Sequence, residues 1–264
     1  MGKTRLDLLL VERGMVHSRE RARSAIMRGN VIVGSNKAMK PGMMVDSDAL
    51  VEVRSLPEYV SRGGQKLEKA LRSFEVPVDG KVCIDCGAST GGFTDCLLRH
   101  GARLVYAVDV GYGQLAWSIR TNPRVVTMER TNIRYITTEM FDEKPELATV
   151  DLSFISLALV LPVLRKLLTA DGEVLCLVKP QFEAGREQVG KNGVVRDPAT
   201  HKSVLDSFVR DAVESGFSVE GLTHSPVKGP KGNIEYLGKL RIRGNSGVID
   251  TGAVVSEAHD ELSS

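Results

Sequence analysis

Residues 82–101 constrain the fold of this 264-residue chain more than any other stretch. Val82-Cys83-Ile84 is an apolar run that reads as a buried strand. Asp85-Cys86-Gly87-Ala88-Ser89-Thr90-Gly91-Gly92-Phe93-Thr94 follows as a glycine-rich turn, and Asp95 to His100 reads as a short helix stopped by Gly101. Strand, glycine turn and helix make a cradle in which backbone can approach a ligand, because glycine has no Cβ. The glycines do not follow G-x-G-x-x-G, so the turn alone names no ligand.

The segments after the turn supply its context. Leu104 to Val108 reads as a second strand ending at Asp109, 22 residues beyond Gly87. An acid so placed can accept hydrogen bonds from ribose hydroxyls. Arg124 to Met128 reads as a third strand, Leu147 to Val150 as a fourth ending at Asp151, and Glu173 to Val178 as a fifth ending at Lys179. Leu67, Ala70, Leu71 and Phe74 mark an amphipathic helix before the turn; Leu159 to Leu168 reads as helical despite Pro162. Asp197-Pro198 opens a helix that runs to about Ser215. The alternation predicts an α/β fold, a mostly parallel doubly wound sheet with helices on both faces. Phe217 to Leu222 and Ile234 to Arg241 read as paired edge strands. Phe182 to Asp197 reads as a mobile loop, and the chain from Gly244 onward as a loose tail.

Charge is unevenly spread. The net charge is only +2, yet residues 1–40 hold nine basic and three acidic residues, while from Asn245 there are four acids and no Lys or Arg. A basic N-terminal module and an acidic tail follow. Arg5 to Arg13 reads as a helix stopped by Gly14, and Ser18 as the N-cap of a second helix ended by Gly29; a small sheet comes after. Arg19, Arg21, Arg23 and Arg28 flank the apolar stripe Ala22, Ala25, Ile26, an arrangement that could grip phosphates or simply be solvated.

Cys83 and Cys86 have CxxC spacing, but three residues apart on a strand they point to opposite faces. That suits neither zinc nor a redox pair, so buried thiols in a reducing cytosol and no metal are expected. The longest apolar stretch, Phe154 to Leu164, contains Pro162 and falls short of the about 20 residues a spanning helix needs. No signal peptide pattern opens the chain. No membrane association and a cytoplasmic location are expected.

Asp85, Asp109, Asp151 and Lys179 all stand where strands end, which is where open parallel sheets bind ligands. Lys66 and Glu235 lie at edges of the same layer. Interleaved lysines and carboxylates suit acid–base work on an alcohol, although each taken singly would more often be a surface ion pair.

Two resemblances then sharpen the reading. Arg5-Leu6-Asp7, Gly14, Ser18-Arg19, Ala22, Ile26, Gly29 and Val31-x-Val33-Gly34 resemble the RNA-binding domain of the S4 type. Ser61-Arg62-Gly63-x-x-Lys66-Leu67, the turn Asp85–Thr94, Asp109-Val110-Gly111-x-Gly113-Gln114-Leu115, Asp151 to Ser156, Val178 to Glu183 and Gly232-Asn233-x-Glu235-Tyr236 resemble the TlyA, or hemolysin A, proteins among the FtsJ-like methyltransferases. The joint reads Pro57-Glu58-Tyr59-Val60 where some members carry Arg-x-Trp-Val.

The resemblance implies a Rossmann-like methyltransferase domain over 61–244, a small α+β RNA-binding domain over 1–56, a linker at 57–60 and a flexible acidic tail at 245–264. It implies S-adenosyl-L-methionine-dependent transfer of a methyl group to the 2′-hydroxyl of a cytidine ribose, with ribosomal RNA or ribosomal subunits as partner. Lys66, Asp151, Lys179 and Glu235 match the catalytic Lys-Asp-Lys-Glu set, with Lys179 as general base. Asp85, Gly87, Ala88, Ser89, Gly91, Gly92, Asp109, Asn132 and Asp151 would hold the donor. Arg5, Arg19, Arg23, Arg28 and Arg62 would face RNA. A membrane-lysing protein, as the family's other label suggests, and a nicotinamide-dependent dehydrogenase are the competing readings; the absent spanning segment and the absent G-x-G-x-x-G disfavour them.

Overall fold

The structure, a computed structural model, describes residues 2–27, 29–38, 40–54 and 58–262. The chain divides into two compact units, residues 1–60 and 61–264.

In the first unit β1 (Lys3–Arg5) leads into α1 (Leu6–Glu12) and α2 (Arg19–Met27), followed by β2 (Val31–Val33), β3 (Asn36–Lys37), β4 (Met44–Asp46) and β5 (Val51–Val53). Leu6, Leu9 and Leu10 of α1 and Ala22, Ala25 and Ile26 of α2 are buried together with Val31, Ala38 and Val45. Their spacing puts each set on one helix face. The Arg21 amide donates to Ser18 Oγ at 3.2 Å, so Ser18 caps α2. The strands depart from the expected order of helices first, sheet after. β1 precedes both helices and pairs antiparallel with β4, apart from the β3-β2-β5 sheet. A three-residue strand is too short for its alternation to be read.

The second unit contains α3 (Gly63–Ser73), β6 (Val82–Cys86), α4 (Gly92–Arg99), β7 (Leu104–Val108), α5 (Trp117–Arg120), β8 (Val125–Met128), β9 (Leu147–Val150), α6 (Leu161–Leu167), β10 (Glu173–Val178), α7 (Pro180–Glu183), α8 (Pro198–Glu214), β11 (Ser218–His224), β12 (Tyr236–Arg241) and α9 (Thr251–Leu262). Seven strands form one sheet in the order β11-β12-β10-β9-β6-β7-β8. β10, β9, β6, β7 and β8 run parallel; β12 is antiparallel to both β10 and β11. Val82, Ile84 and Cys86 of β6 share a core with Leu161 and Leu164 of α6 and Leu205 and Phe208 of α8. On the opposite face Asp85 is bonded by Thr94 of α4, so helices cover both sides. Pro162 sits in the first turn of α6, where its missing N–H has no intrahelical partner to lose.

From β6 the chain moves outward through β7 and β8, then returns to β9 on the other side of β6. The strand order thus reverses between β6 and β9. Crevices at such reversals, outside the strand carboxyl ends, are where doubly wound sheets take ligands.

The tail is the principal departure from expectation. Residues 251–262 form α9 rather than loose chain, packed on α8 and β11. Thr251, Val255 and Ala258 recur at i, i+4 and i+7 and are buried. Asp250 Oδ1 accepts the Ala253 amide at 2.9 Å and Thr251 Oγ1 donates to Asp206 at 2.6 Å. Gly, Ser and acid content hid a short helical stripe.

Candidate active site

Gly87 and Asp151 follow β6 and β9, on either side of the reversal. A Cβ at Gly87 would lie 2.5 Å from the Asp151 carbonyl oxygen, and Gly87 has φ of +88°. Gly92, the first residue of α4, faces α3 so closely that a Cβ there would collide with Ser61 Oγ. Gly91 backs onto Leu115 and Ile119. These glycines therefore let chain segments cross, and Gly87 and Gly92 also line the cavities beside the turn.

A cavity of about 660 Å³ opens beside the turn, lined among others by Ser89, Asp109, Asn132, Arg134 and Asp151. Its size is ordinary for a small-molecule site. Asp109 Oδ2 accepts the Ser89 amide at 2.8 Å and Oδ1 accepts the Gly111 amide at 2.7 Å, which aims the carboxylate. Asn132 Oδ1 accepts the Arg134 amide at 3.1 Å. Asp85 is not part of this wall. It is fully buried beneath the turn, accepting from Thr94 Oγ1 at 2.6 Å and Thr149 Oγ1 at 3.2 Å. Burial raises its carboxyl to about 7. Lying within β6 rather than after it, Asp85 points into the helix layer instead of the crevice.

A second cavity, of about 310 Å³, is lined by Arg62, Lys66, Ala88, Asp151, Lys179 and Glu235 among others. Gly87, Ser89, Asp151 and Ser153 border both cavities. All four of the expected Lys-Asp-Lys-Glu residues thus converge from α3, the ends of β9 and β10, and the approach to β12. They form two ion pairs. Lys179 Nζ lies 2.5 Å from Asp151 Oδ1 and donates to Leu152 O at 2.7 Å. Lys66 Nζ lies 2.6 Å from Glu235 Oε2, and both are buried.

Three supporting residues carried no assigned role in the sequence. Gln181 Nε2 donates to Glu235 Oε1 at 3.0 Å. Glu183, whose carboxyl burial pushes upward, accepts from Ser156 Oγ at 2.6 Å and the Leu157 amide at 2.9 Å, tying the loop after β9 to α7. Phe154 is 90% exposed with φ of +64°, its ring 4.9 Å from that of Phe182. An exposed phenylalanine in the left-handed region is a costly arrangement that functional sites favour. Phe154 also lines the larger cavity. Only its place in the motif Asp151–Ser156 could have pointed to it.

Comparison with known proteins decides the family. A model of FtsJ-like methyltransferases matches residues 59–241, and one of the S4 domain matches residues 4–51. The chain belongs to the FtsJ-like methyltransferase family. It is 48% identical to the 16S/23S rRNA (cytidine-2′-O)-methyltransferase TlyA of Mycobacterium tuberculosis over 90% of each chain. It is 43% identical to Hemolysin A of Brachyspira hyodysenteriae, over 88% of this chain and 98% of that one. A solved structure from Streptococcus thermophilus, described under a hemolysin heading, superposes with a TM-score of 0.79 at 46% identity, covering 100% of this chain and 98% of that one. No helix among the described residues is long and apolar enough to cross a membrane.

Within the S4 domain of this FtsJ-like chain, Arg5 Nε and Arg19 Nε each lie 2.9 Å from the buried Asp7 carboxylate, with both guanidiniums about half exposed. Arg23 is exposed on α2. Arg28 lies outside the described residues. Arg62 stands apart, exposed at the start of α3 and beside the second cavity.

Proposed function

We propose that this protein transfers a methyl group from S-adenosylmethionine to the 2′-hydroxyl of a cytidine in ribosomal RNA, acting in the cytoplasm. One observation carries the reading: two cavities share Asp151, whose carboxylate holds Lys179. A donor site and an acceptor site that meet at one carboxylate suit direct group transfer.

The larger cavity fits the donor by its chemistry. Asp109 would bind the donor's ribose hydroxyls, Asn132 its adenine, and the wall from Gly87 to Ser89 its amino-acid part. S-adenosylmethionine, when bound, would supply an electrophilic methyl group attached to a positively charged sulfonium sulfur, a charge that the Asp151 carboxylate would favour nearby. Lys179, having given a proton to solvent, would take the proton of the 2′-hydroxyl at Nζ as that oxygen displaces sulfur from the methyl carbon, the carbon–sulfur bond breaking and its electron pair staying on the departing thioether. Lys66, held by Glu235, places a second positive charge where oxyanion character develops. Arg62 and the S4 arginines Arg5, Arg19, Arg23 and Arg28 would grip RNA phosphates. Phe154 offers a flat face for a base, as exposed aromatics do in RNA-binding sites.

The test uses purified protein, labelled S-adenosylmethionine and ribosomal subunits from a strain lacking the protein. Label should appear in RNA and digest to 2′-O-methylcytidine. Unlabelled RNA, or full labelling by Lys179→Ala, would sink the proposal. Lysis of red cells by the purified protein would favour the hemolysin name carried by some relatives.

A further inference from the structure

We propose that Glu68, Cys96 and His100 form a binding site for a divalent metal of the zinc class, away from the reacting groups. Glu68 is on α3. Cys96 and His100 stand four apart on and just after α4, so they share one face. His100 Nε2 lies 3.2 Å from Glu68 Oε2. Cys96 Sγ lies 3.9 Å from Glu68 Oε2 and 3.7 Å from His100 Nδ1. One ligand atom from each of the three residues falls within 4.8 Å of the others. Tetrahedral zinc, with bonds of about 2.0–2.3 Å, holds its ligand atoms roughly 3.3–3.7 Å apart. The Glu68 edges of the triangle, 3.2 and 3.9 Å, are close to that spacing, and Cys96 Sγ, which lies 3.7 Å from His100 Nδ1, has to turn toward Nε2 to complete it.

The hydrogen bonding behind the triangle separates it from a surface ion pair. His100 Nδ1 sits 2.9 Å from the Cys96 carbonyl oxygen. That acceptor takes the Nδ1 proton and leaves the Nε2 lone pair for a metal, the outer bond that metal-binding histidines ordinarily make. Thiolate, imidazole and carboxylate together favour zinc over magnesium or calcium. Cys96 is buried, whereas Glu68 and His100 are partly exposed, so a cation can enter from their side and keep water as a fourth ligand. The other such group among the described residues, His224 with Glu257 and Glu261, has the Lys69 ammonium 3.1 Å from His224 Nε2, which repels a cation.

The site lies off the reaction path. Glu68 is two residues from Lys66, roughly 200° around the helix. Its metal would cross-link the helix that carries Lys66 to the helix that opens at the glycine turn. The sequence hid it because Glu68 precedes Cys96 by 28 residues, outside any short ligand spacing.

The full chain, stripped with chelator, is titrated with cobalt(II). One equivalent should bind with a near-ultraviolet thiolate-to-cobalt charge-transfer band, and zinc should displace it. Cys96→Ser should abolish the band; Glu68→Gln and His100→Ala should weaken binding by about tenfold or more. Should Cys96→Ser fail to fold, His100→Ala, altered at a partly exposed side chain, carries the test: zinc should raise the Tm of the wild type and not of this variant. No band, a band that survives Cys96→Ser, or an equal zinc-induced Tm rise in His100→Ala overturns the proposal. None of these readouts depends on methyl transfer.

Discussion

Lys179 and Asp151 stand at the ends of neighbouring parallel strands, and their side chains meet at 2.5 Å on the border between the two cavities. Lys179→Ala should lower single-turnover methyl transfer by about 10²–10⁴-fold, the usual worth of a positioned base, and leave donor affinity near wild type. Asp151→Asn should impair both, because its carboxylate borders both cavities. Equilibrium binding of the donor beside transfer rates separates the two.

Lys66 and Glu235 are buried together. Lys66→Met strands a buried carboxylate and should cost roughly 3–5 kcal/mol of stability; Lys66→Met with Glu235→Leu should cost much less than the two single changes added. Denaturant unfolding of the three variants measures the coupling. Additive losses would mean that the pair is not energetically linked.

Gly87→Ala forces a methyl group against the Asp151 carbonyl and a side chain into positive φ. A loss of about 1–3 kcal/mol is expected. Because the loop after β9 must shift to make room, donor binding should weaken as well, measured by calorimetry.

Asp85 makes stability depend on pH near neutrality. Burial, aided by the charge of Asp151 and only partly opposed by bonds from Thr94 and Thr149, raises its carboxyl to about 7. Unfolded aspartate titrates near ~3.9. Between about pH 4 and 7 the folded chain keeps a proton that the unfolded chain has released, so this group's contribution is full below pH 4 and is lost as pH rises through 7. Asp85→Asn keeps an acceptor for Thr94 and does not titrate. Its stability relative to wild type should rise from pH 5 to pH 8, followed by urea unfolding.

Asp7 has the opposite sign. The hydrogen bond from Arg5, followed by the bond and charge of Arg19 and against the cost of burial, holds its carboxyl down to about 2. Its contribution is present above about pH 4 and is lost as pH falls toward 2. The two arginines are half exposed, so solvent screening reduces the effect to about 1 kcal/mol. Asp7→Asn should show that deficit at pH 6 and little at pH 2.5, and should loosen RNA binding by freeing Arg5 and Arg19 to move.

Much was legible in the chain itself. Apolar runs located the parallel strands, of which β6, β9 and β10 are buried on both faces, and period-3.6 patterns marked helices that bury one face. The ends of those strands marked Asp109, Asp151 and Lys179. Some elements escaped: β1 is three residues long, and α9, although 12 residues long, keeps its buried face among small and acidic residues.

What the sequence determined alone was the order of the parallel strands in the second unit and the residue types at their ends, because local spacing is written along the chain. Only the tertiary structure decided which groups touch. It turned Asp85 inward, spent Gly87 and Gly92 on crossing segments, paired Lys66 with Glu235 across 169 residues, and brought Glu68 to Cys96. Such contacts depend on how packed helices and strands rotate and cross, and close packing fixes those rotations only when the whole unit is assembled.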